Sequence, residues 1–155
     1  MKMERPAGEN VLQLVDGYFF VWNNIDDLPL ARDMAQRVVF PKFKSRFSTK
    51  QDGPESLLEI ATNRRKAFKD SCFEVDLNKV VVNDDGEIVV PYVFTGVYRG
   101  TFLSKEAQGK RVEFNGTAFY KVEDGKLLGL RSVRDEVGML EQLGVDRPDG
   151  DTDEF

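Results

Sequence analysis

The chain has 155 residues, of which 41% are hydrophobic, with 22 basic and 27 acidic side chains, one cysteine and no histidine. This length and composition fit one soluble globular domain and exclude a collagen, a disordered chain and a disulfide scaffold. Histidine is the commonest metal ligand in proteins and the commonest acid–base group near neutral pH, so zinc sites and histidine-based triads are also excluded. We expect no metal and no cofactor.

Residues 31–69 form a basic segment in an acidic chain. They hold ten Lys/Arg and four Asp/Glu, a balance of +6, which leaves −11 for the other residues to give the net charge of −5. Such a segment could attract an anionic ligand or a phosphate backbone. No nucleic-acid recognition motif accompanies it, so we predict a solvated helical face and no nucleic-acid partner. Its basic residues are Arg32, Arg37, Lys42, Lys44, Arg46, Lys50, Arg64, Arg65, Lys66 and Lys69.

The composition of the N-terminal segment and the length of the apolar runs bear on location. Residues 1–10 contain Lys2 and Arg5 but no apolar stretch behind them, which is unlike a signal peptide. The apolar runs are far shorter than the roughly 20 residues that span a bilayer. The single cysteine, Cys72, cannot form an intrachain disulfide. We therefore expect a cytoplasmic protein with no membrane partner.

The first half of the chain has helical patterns. Apolar residues over 10–22 recur at spacings of three and four, which predicts an amphipathic helix. Asp27 and Pro29 mark the start of a second helix that runs to about Gln36. Gly53 and Pro54 open a third helix, which the apolar pattern carries through Phe68. Three helices therefore precede any convincing strand.

The second half has strand patterns instead. Alternation predicts strands over 73–77, 88–102, 111–122 and 126–134, with turns at 83–86 and 123–125. A short helix over 135–143 closes the pattern, and Gly144 ends it. Helices followed by an antiparallel sheet describe a single α+β domain over residues 1–155, with flexible ends at 1–9 and 146–155.

The turn at 123–125 predicts one face of the sheet. If Val122 pairs with Lys126 across a three-residue turn, Gly116 lies opposite Ser132 and Phe114 lies opposite Arg134. Alternation then places eight residues on one face: Phe114, Gly116, Ala118, Tyr120, Leu128, Leu130, Ser132 and Arg134. The strand over 88–102 adds Tyr92, Phe94, Gly96 and Tyr98 to this face, unless a bulge at Pro91 or Gly96 breaks the register.

Three small residues lie at the middle of this face. Gly116, Ala118 and Ser132 do not fill the space beside their aromatic neighbours, which favours either a ligand pocket or a closely packed helix. Ligand pockets are mostly apolar with a few convergent polar groups, and Arg134 supplies one such group. Arg134 could hold an anionic group, or it could form an ion pair with a neighbouring acid: Asp135, Glu113 or Glu136. Trp22 either caps the pocket mouth or packs in the core.

Three stretches resemble the SnoaL-like polyketide cyclase family. They are residues 112–116, residues 120–126 and the closing helix with its flanks, 133–144, which is the most telling. The resemblance implies an α+β cone of the nuclear-transport-factor-2-like (NTF2-like) type, with N-terminal helices packed on a curved antiparallel sheet. It also implies a deep hydrophobic pocket and a homodimer formed through the open sheet face.

The resemblance assigns catalytic positions as well. In cyclases of this family, an aspartate on the last strand acts as acid and base in an intramolecular aldol closure, helped by histidine or glutamine on the preceding strand. The aspartate position falls on Ser132, the helper positions fall on Gly116 and Ala118, and a further histidine position falls on Tyr98. The usual proton-transfer groups are therefore absent. Asp135 starts the closing helix, which favours a helix cap over a catalyst.

Two functions are compatible with these features. The first is a small-molecule enzyme of the cyclase, isomerase or hydratase kind that acts on a hydrophobic carbonyl compound. The second is a non-catalytic binding or assembly module that uses the sheet face. The candidate catalytic residues are Tyr98, Ser132 and Arg134, and the candidate ligand-binding residues are Tyr18, Trp22, Phe94, Phe114, Gly116, Ala118, Tyr120 and Leu130.

Overall fold

A computed structural model describes residues 5–44, 52–100 and 107–144 of the chain. The helices in these residues are α1 (Glu9–Asn23), α2 (Leu28–Val38), α3 (Pro54–Ala67) and α4 (Glu136–Leu143). The strands are β1 (Arg5–Pro6), β2 (Phe68–Glu74), β3 (Val81–Val82), β4 (Ile88–Tyr98), β5 (Arg111–Glu123) and β6 (Lys126–Arg134).

The strands form one curved antiparallel sheet, in the order β1-β3-β4-β5-β6, with β2 also paired to β4. Helices α1, α2 and α3 come before the long strands, and the core lies between these helices and the sheet. This arrangement confirms the α+β, NTF2-like architecture expected from the sequence. None of the helices in the described part of the chain is long and apolar enough to cross a membrane.

The helix starts follow the expected local chemistry. The backbone N–H of Leu30 donates to the side chain of Asp27 at 3.3 Å, which caps α2. At α3, Gly53 has a φ of +72° and Pro54 occupies the first turn. The predicted cap of the closing helix is confirmed as well, because the N–H of Gly138 donates to Asp135 Oδ1 at 2.9 Å.

The strand after α3 differs from the prediction. It begins at Phe68, which was assigned to the helix, and it ends at Glu74, while Leu77 starts a short 3-10 helix. The strand begins at Phe68 because this residue pairs with Tyr98 of β4 and is fully buried there. A bulge between Lys69 and Cys72 also disturbs the alternation of this strand.

The chain ends are described only in part. Arg5 and Pro6 lie in the segment expected to be flexible, yet they pair with Val82 and Val81 of β3. Both strands have two residues, which is too short for a periodic signal in the sequence. The other predicted flexible segment, 146–155, lies outside the described residues.

Strands β4 and β5 pair without interruption from Ile88 opposite Tyr120 to Val97 opposite Arg111. The possible break at Pro91 or Gly96 does not occur. Buried and half-buried residues alternate along β4, so every second side chain faces the helices.

The hairpin between β5 and β6 corrects the predicted register. Glu123 pairs with Lys126, so the turn contains two residues, Asp124 and Gly125, with φ values of +48° and +76°. Two positive φ values in succession are typical of the tight turn that matches the twist of a hairpin. The expected three-residue turn is therefore wrong.

A second irregularity follows in β6, where Leu130 is an extra residue between the partners of Tyr120 and Phe119. Ser132 consequently lies opposite Ala118, not Gly116, and Arg134 lies opposite Gly116, not Phe114. The combined shift is two residues, so Ser132 and Arg134 keep the predicted face of the sheet.

The first residues of β5 extend beyond the end of β6, and α4 closes this edge. The Gln142 side chain accepts a hydrogen bond from the Glu113 N–H and donates one to the Glu113 carbonyl, each at 2.7 Å. The Asp135 N–H donates to the Asn115 carbonyl at 3.0 Å. An amide side chain thus satisfies the groups that a neighbouring strand would otherwise pair.

The glycines of the inner face provide room for aromatic rings. A Cβ on Gly116 would lie 2.2 Å from Cζ of Tyr92, and a Cβ on Gly129 would lie 2.9 Å from Cε2 of Phe43. The expectation that Gly116 leaves an unfilled floor is therefore wrong, because the ring of Tyr92 lies on it.

We predict that Gly116→Ala lowers the free energy of unfolding by about 1–3 kcal/mol, because the new methyl group forces Tyr92 to move. Urea unfolding measures the change. Gly8→Ala is the control, since a Cβ there meets nothing within 4 Å. In a Tyr92→Leu background the effect of Gly116→Ala should shrink, and an undiminished effect would show that the ring is not its cause.

Candidate functional site

Aromatic side chains from four elements line the space between the helices and the sheet. Phe94 stacks against Phe114 with ring centroids 4.9 Å apart, and Phe73 lies 5.0 Å from both Phe94 and Trp22. We call this set the aromatic interior. It consists of Tyr18, Phe19 and Trp22 of α1, Phe73 of β2, Tyr92 and Phe94 of β4, and Phe114 and Tyr120 of β5.

The guanidinium of Arg64 lies inside the aromatic interior. Its Cζ is 4.9 Å from the ring centroid of Phe94, 5.7 Å from that of Phe73 and 5.9 Å from that of Trp22. The residue is only 8% exposed. Contacts between a cation and ring faces offset part of the free energy lost when the charge leaves water.

Hydrogen bonds from Nε and Nη1 do not offset the remaining free energy that Arg64 loses when its charge leaves water. Within the described part of the chain, Nε and Nη1 of Arg64 have no hydrogen-bond partner, and no aspartate or glutamate there is buried. Burial, and secondly the charge of Arg134, lower the pKa of Arg64 to about 9. The group is still a cation at neutral pH, so the interior carries a positive charge that no buried carboxylate of the described residues balances.

Helical phase explains why Arg64 points inward. It follows Leu57 and Ala61 at spacings of seven and three, and these two residues are almost fully buried on the same face of α3. The prediction of a solvated helical face is therefore wrong for Arg64. The spacing from Leu57 and Ala61 was a signal in the sequence that could have identified it.

A pair of hydroxyl groups links the aromatic interior to the surface. Tyr92 Oη and Ser132 Oγ form a hydrogen bond of 3.1 Å. Tyr92 is buried, whereas Ser132 is exposed on β6. Solvent therefore reaches the Ser132 end of this hydrogen bond, on the inner face of the sheet.

A second group of polar atoms lies where α1 meets β5. The rings of Tyr18 and Tyr120 meet there edge to face, with centroids 4.9 Å apart. Burial raises the pKa of both tyrosines above the usual value for a phenol. Both phenols are therefore protonated at neutral pH, and they act as hydrogen-bonding groups and not as bases.

The structure brings most of the sequence-predicted residues to one region. Tyr18, Trp22, Phe94, Phe114 and Tyr120 belong to the aromatic interior. Gly116, Ala118, Ser132 and Arg134 lie beside it, on the same face of paired strands β5 and β6. Sequence reasoning did not select Arg64, Tyr92 or Phe73 as site residues.

Two predicted residues lie elsewhere. Tyr98 is six residues from Tyr92 along β4, roughly 20 Å at the rise of a strand, and its ring packs on Phe68 with centroids 5.7 Å apart. The structure therefore does not bring Tyr98 together with Ser132 and Arg134. Leu130 is the extra residue of the β6 irregularity and is 39% exposed.

Outside the aromatic interior, an open groove lies on the helical side. It is lined by Ile25, Asp26, Thr62, Arg65, Lys66 and Arg99. Arg65 is already held there, because it pairs with Asp26 and donates from Nε to Ser71 Oγ at 2.9 Å. In the described residues, no group of three or more cysteine or acidic side chains is placed to hold a metal ion.

A family model described as SnoaL-like polyketide cyclase matches residues 13–143, which is most of the chain. The chain belongs to this family. The match includes every residue of the aromatic interior as well as Arg64, Ser132 and Arg134. A comparison with curated proteins by sequence gives no match.

Solved structures show the same fold. TsrD from Streptomyces laurentii has a TM-score of 0.72 and 21% identity, with 89% of this chain and 97% of TsrD covered. IdmH from Streptomyces antibioticus has a TM-score of 0.67 and 19% identity, with 89% and 100% covered. An LEH-like epoxide hydrolase of M. tuberculosis has a TM-score of 0.55 and 15% identity, with 86% and 84% covered.

We predict that Arg64→Met stabilises the protein by about 1–4 kcal/mol, because an apolar chain of similar length replaces a buried charge that lacks a carboxylate partner. Thermal and urea unfolding measure the change. The neighbouring Arg65→Met is the matched control, and it should destabilise by about 1–3 kcal/mol because it removes hydrogen bonds to Ser71 and the Asn23 carbonyl. A similar loss for both variants would show that Arg64 has an ordinary structural role.

Proposed function

We propose that this protein binds a hydrophobic carbonyl compound in the aromatic interior and catalyses a reaction of the cyclase, isomerase or hydratase kind on it. The Tyr92–Ser132 hydrogen bond is the observation that carries this proposal, because it places two hydroxyl groups between a buried apolar region and solvent. Pockets that bind small molecules combine an apolar lining with a few such polar groups. Family membership supports the same choice.

The chemistry follows from the groups available. A substrate carbonyl that accepts hydrogen bonds from Tyr92 and Ser132 is polarised, which makes the neighbouring C–H more acidic and stabilises an enolate oxygen. Arg134, opposite Gly116 on the same face, adds positive charge. No carboxylate is buried among the described residues, so we assign proton acceptance to a base from solution, hydroxide or a buffer anion, that reaches the exposed end at Ser132 and leaves protonated. The resemblance to cyclases of this family also implies that Ser132 occupies the position of their catalytic aspartate.

A simple aromatic ketone tests this proposal. We expect the protein to accelerate exchange of the methyl protons of 2-acetylnaphthalene in D2O, measured by proton NMR. Tyr92→Phe and Ser132→Ala should each slow the exchange about tenfold or more, because each removes one donor to the enolate oxygen. Thr117→Ala, which removes a hydroxyl from the opposite face of β5, should leave the exchange unchanged.

Three results are informative in different ways. Exchange at the rate of buffer alone, with the ketone still bound, would favour the non-catalytic binding module over the enzyme. Absence of ketone binding would contradict the proposed function. An equal effect of Thr117→Ala would show that the variants act through stability and not through the site.

We also propose that the protein forms a homodimer through the outer face of the sheet. A non-catalytic assembly module would use the same face. Apolar side chains of β4, β5 and β6 lie there, and Val133 is 62% exposed. They are Val89, Pro91, Val93, Val97, Phe119 and Val133. Apolar side chains exposed on a sheet face are typical of interfaces. Cytoplasmic location stays a prediction from the sequence.

We expect Val133→Lys to convert the dimer to the mass of a single chain, because a charge buried in an apolar interface is desolvated without a partner. Sedimentation equilibrium measures the mass. Leu30→Lys is the control, since Leu30 is 45% exposed on α2, on the helical side of the molecule. A wild-type chain that sediments as a monomer would contradict the dimer.

A further inference from the structure

Arg64 contacts aromatic rings, but its buried Nε and Nη1 have no polar partner among the described residues. Arg65, the next residue of the same helix, has an ion pair with Asp26 and three hydrogen bonds to groups of Ser71 and Asn23. In the described residues, by contrast, Nε and Nη1 of Arg64 have no acceptor. Native proteins rarely bury polar groups without a partner, and such a group often marks a site whose partner is a ligand.

The surroundings of Arg64 select the class of that ligand. Rings of Trp22, Phe73 and Phe94 lie within 6 Å of its Cζ and offer no strong acceptor. Arg134 is close enough to lower the pKa of Arg64, so its charge makes burial of the Arg64 cation less favourable still. An occupant that balances the charge of Arg64 needs a full negative charge and an apolar body that packs against the rings.

We propose that Arg64 binds the carboxylate of an aromatic or polycyclic substrate, so that the preferred substrate is a hydrophobic carboxylic acid that carries this carboxylate in addition to its reacting carbonyl group. This inference rests on the proposed function, because it places the ligand in the same aromatic interior. The carboxylate lies at Nε and Nη1 of Arg64, and the ring system packs between the aromatic side chains. Arg64 is then the residue that selects the substrate by charge.

Two probes of the same size separate charge recognition from hydrophobic binding. They are 2-naphthoate, which carries the carboxylate, and 2-acetylnaphthalene, which is neutral, both measured by isothermal titration calorimetry at pH 7. We expect wild-type protein to bind 2-naphthoate more tightly. Arg64→Met should weaken 2-naphthoate about tenfold or more, as loss of a charged hydrogen bond does, and change 2-acetylnaphthalene by less than about twofold.

Two further variants complete the design. Arg64→Lys keeps the charge and should retain part of the affinity for 2-naphthoate, whereas Arg65→Met should leave the affinities for both probes unchanged. Thermal unfolding of each variant verifies that it folds, and we expect the Tm of Arg64→Met to be higher than that of wild type. A gain in stability together with a selective loss of 2-naphthoate affinity is the signature of a binding residue.

The possible failures are distinguishable. If both probes bind and Arg64→Met weakens both equally or neither, the carboxylate inference is overturned while the proposed carbonyl site stands. If 2-naphthoate binds no more tightly than 2-acetylnaphthalene to wild type, charge recognition is likewise overturned. If neither probe binds, both the inference and the proposed function fail.

Discussion

The continuous pairing of β4 with β5 is the constraint on which the rest of the structure depends. Over ten consecutive pairs, from Ile88 with Tyr120 to Val97 with Arg111, no residue is inserted, so side chains alternate strictly between the two faces. Large rings therefore collect on the inner face, and Gly116 makes room for the ring of Tyr92. A one-residue slip would exchange the inner and outer faces and place the hydroxyl of Tyr92 on the wrong side of the sheet.

In the proposed function, the charge of Arg64 in this apolar region is a compromise between stability and ligand binding. Hydrophobic packing alone would favour a residue such as leucine at position 64, as Leu57 and Ala61 on the same face of α3 illustrate. The chain instead has arginine, whose burial is only partly offset by contacts with aromatic rings. Sites that bind ligands commonly keep such unfavourable groups, because the ligand supplies the missing partner.

The sequence predicts elements better than it predicts register. Long periodic stretches identified the helices and strands β4, β5 and β6, and the acidic residue at the start of the closing helix predicted the cap at Asp135. The hairpin was misassigned because both a two-residue and a three-residue turn fit the same letters at 123–125, and the extra residue at Leu130 has no signature in the sequence. Arg64 was missed for another reason. A count of charges over 31–69 ignores which face of the helix each residue lies on. Only that position around the helix distinguishes a buried arginine from an exposed one.

The contact between Gln142 and the backbone of Glu113 has a consequence for how the chain folds as it is made. Synthesis proceeds from the N-terminus, so the ribosome releases the first residues of β5 well before α4 is available to cover them. Until then the nascent polypeptide presents free backbone donors and acceptors at that border, where another chain can add a strand. The border of β5 is therefore covered only when α4 has been made and Gln142 can bond to Glu113.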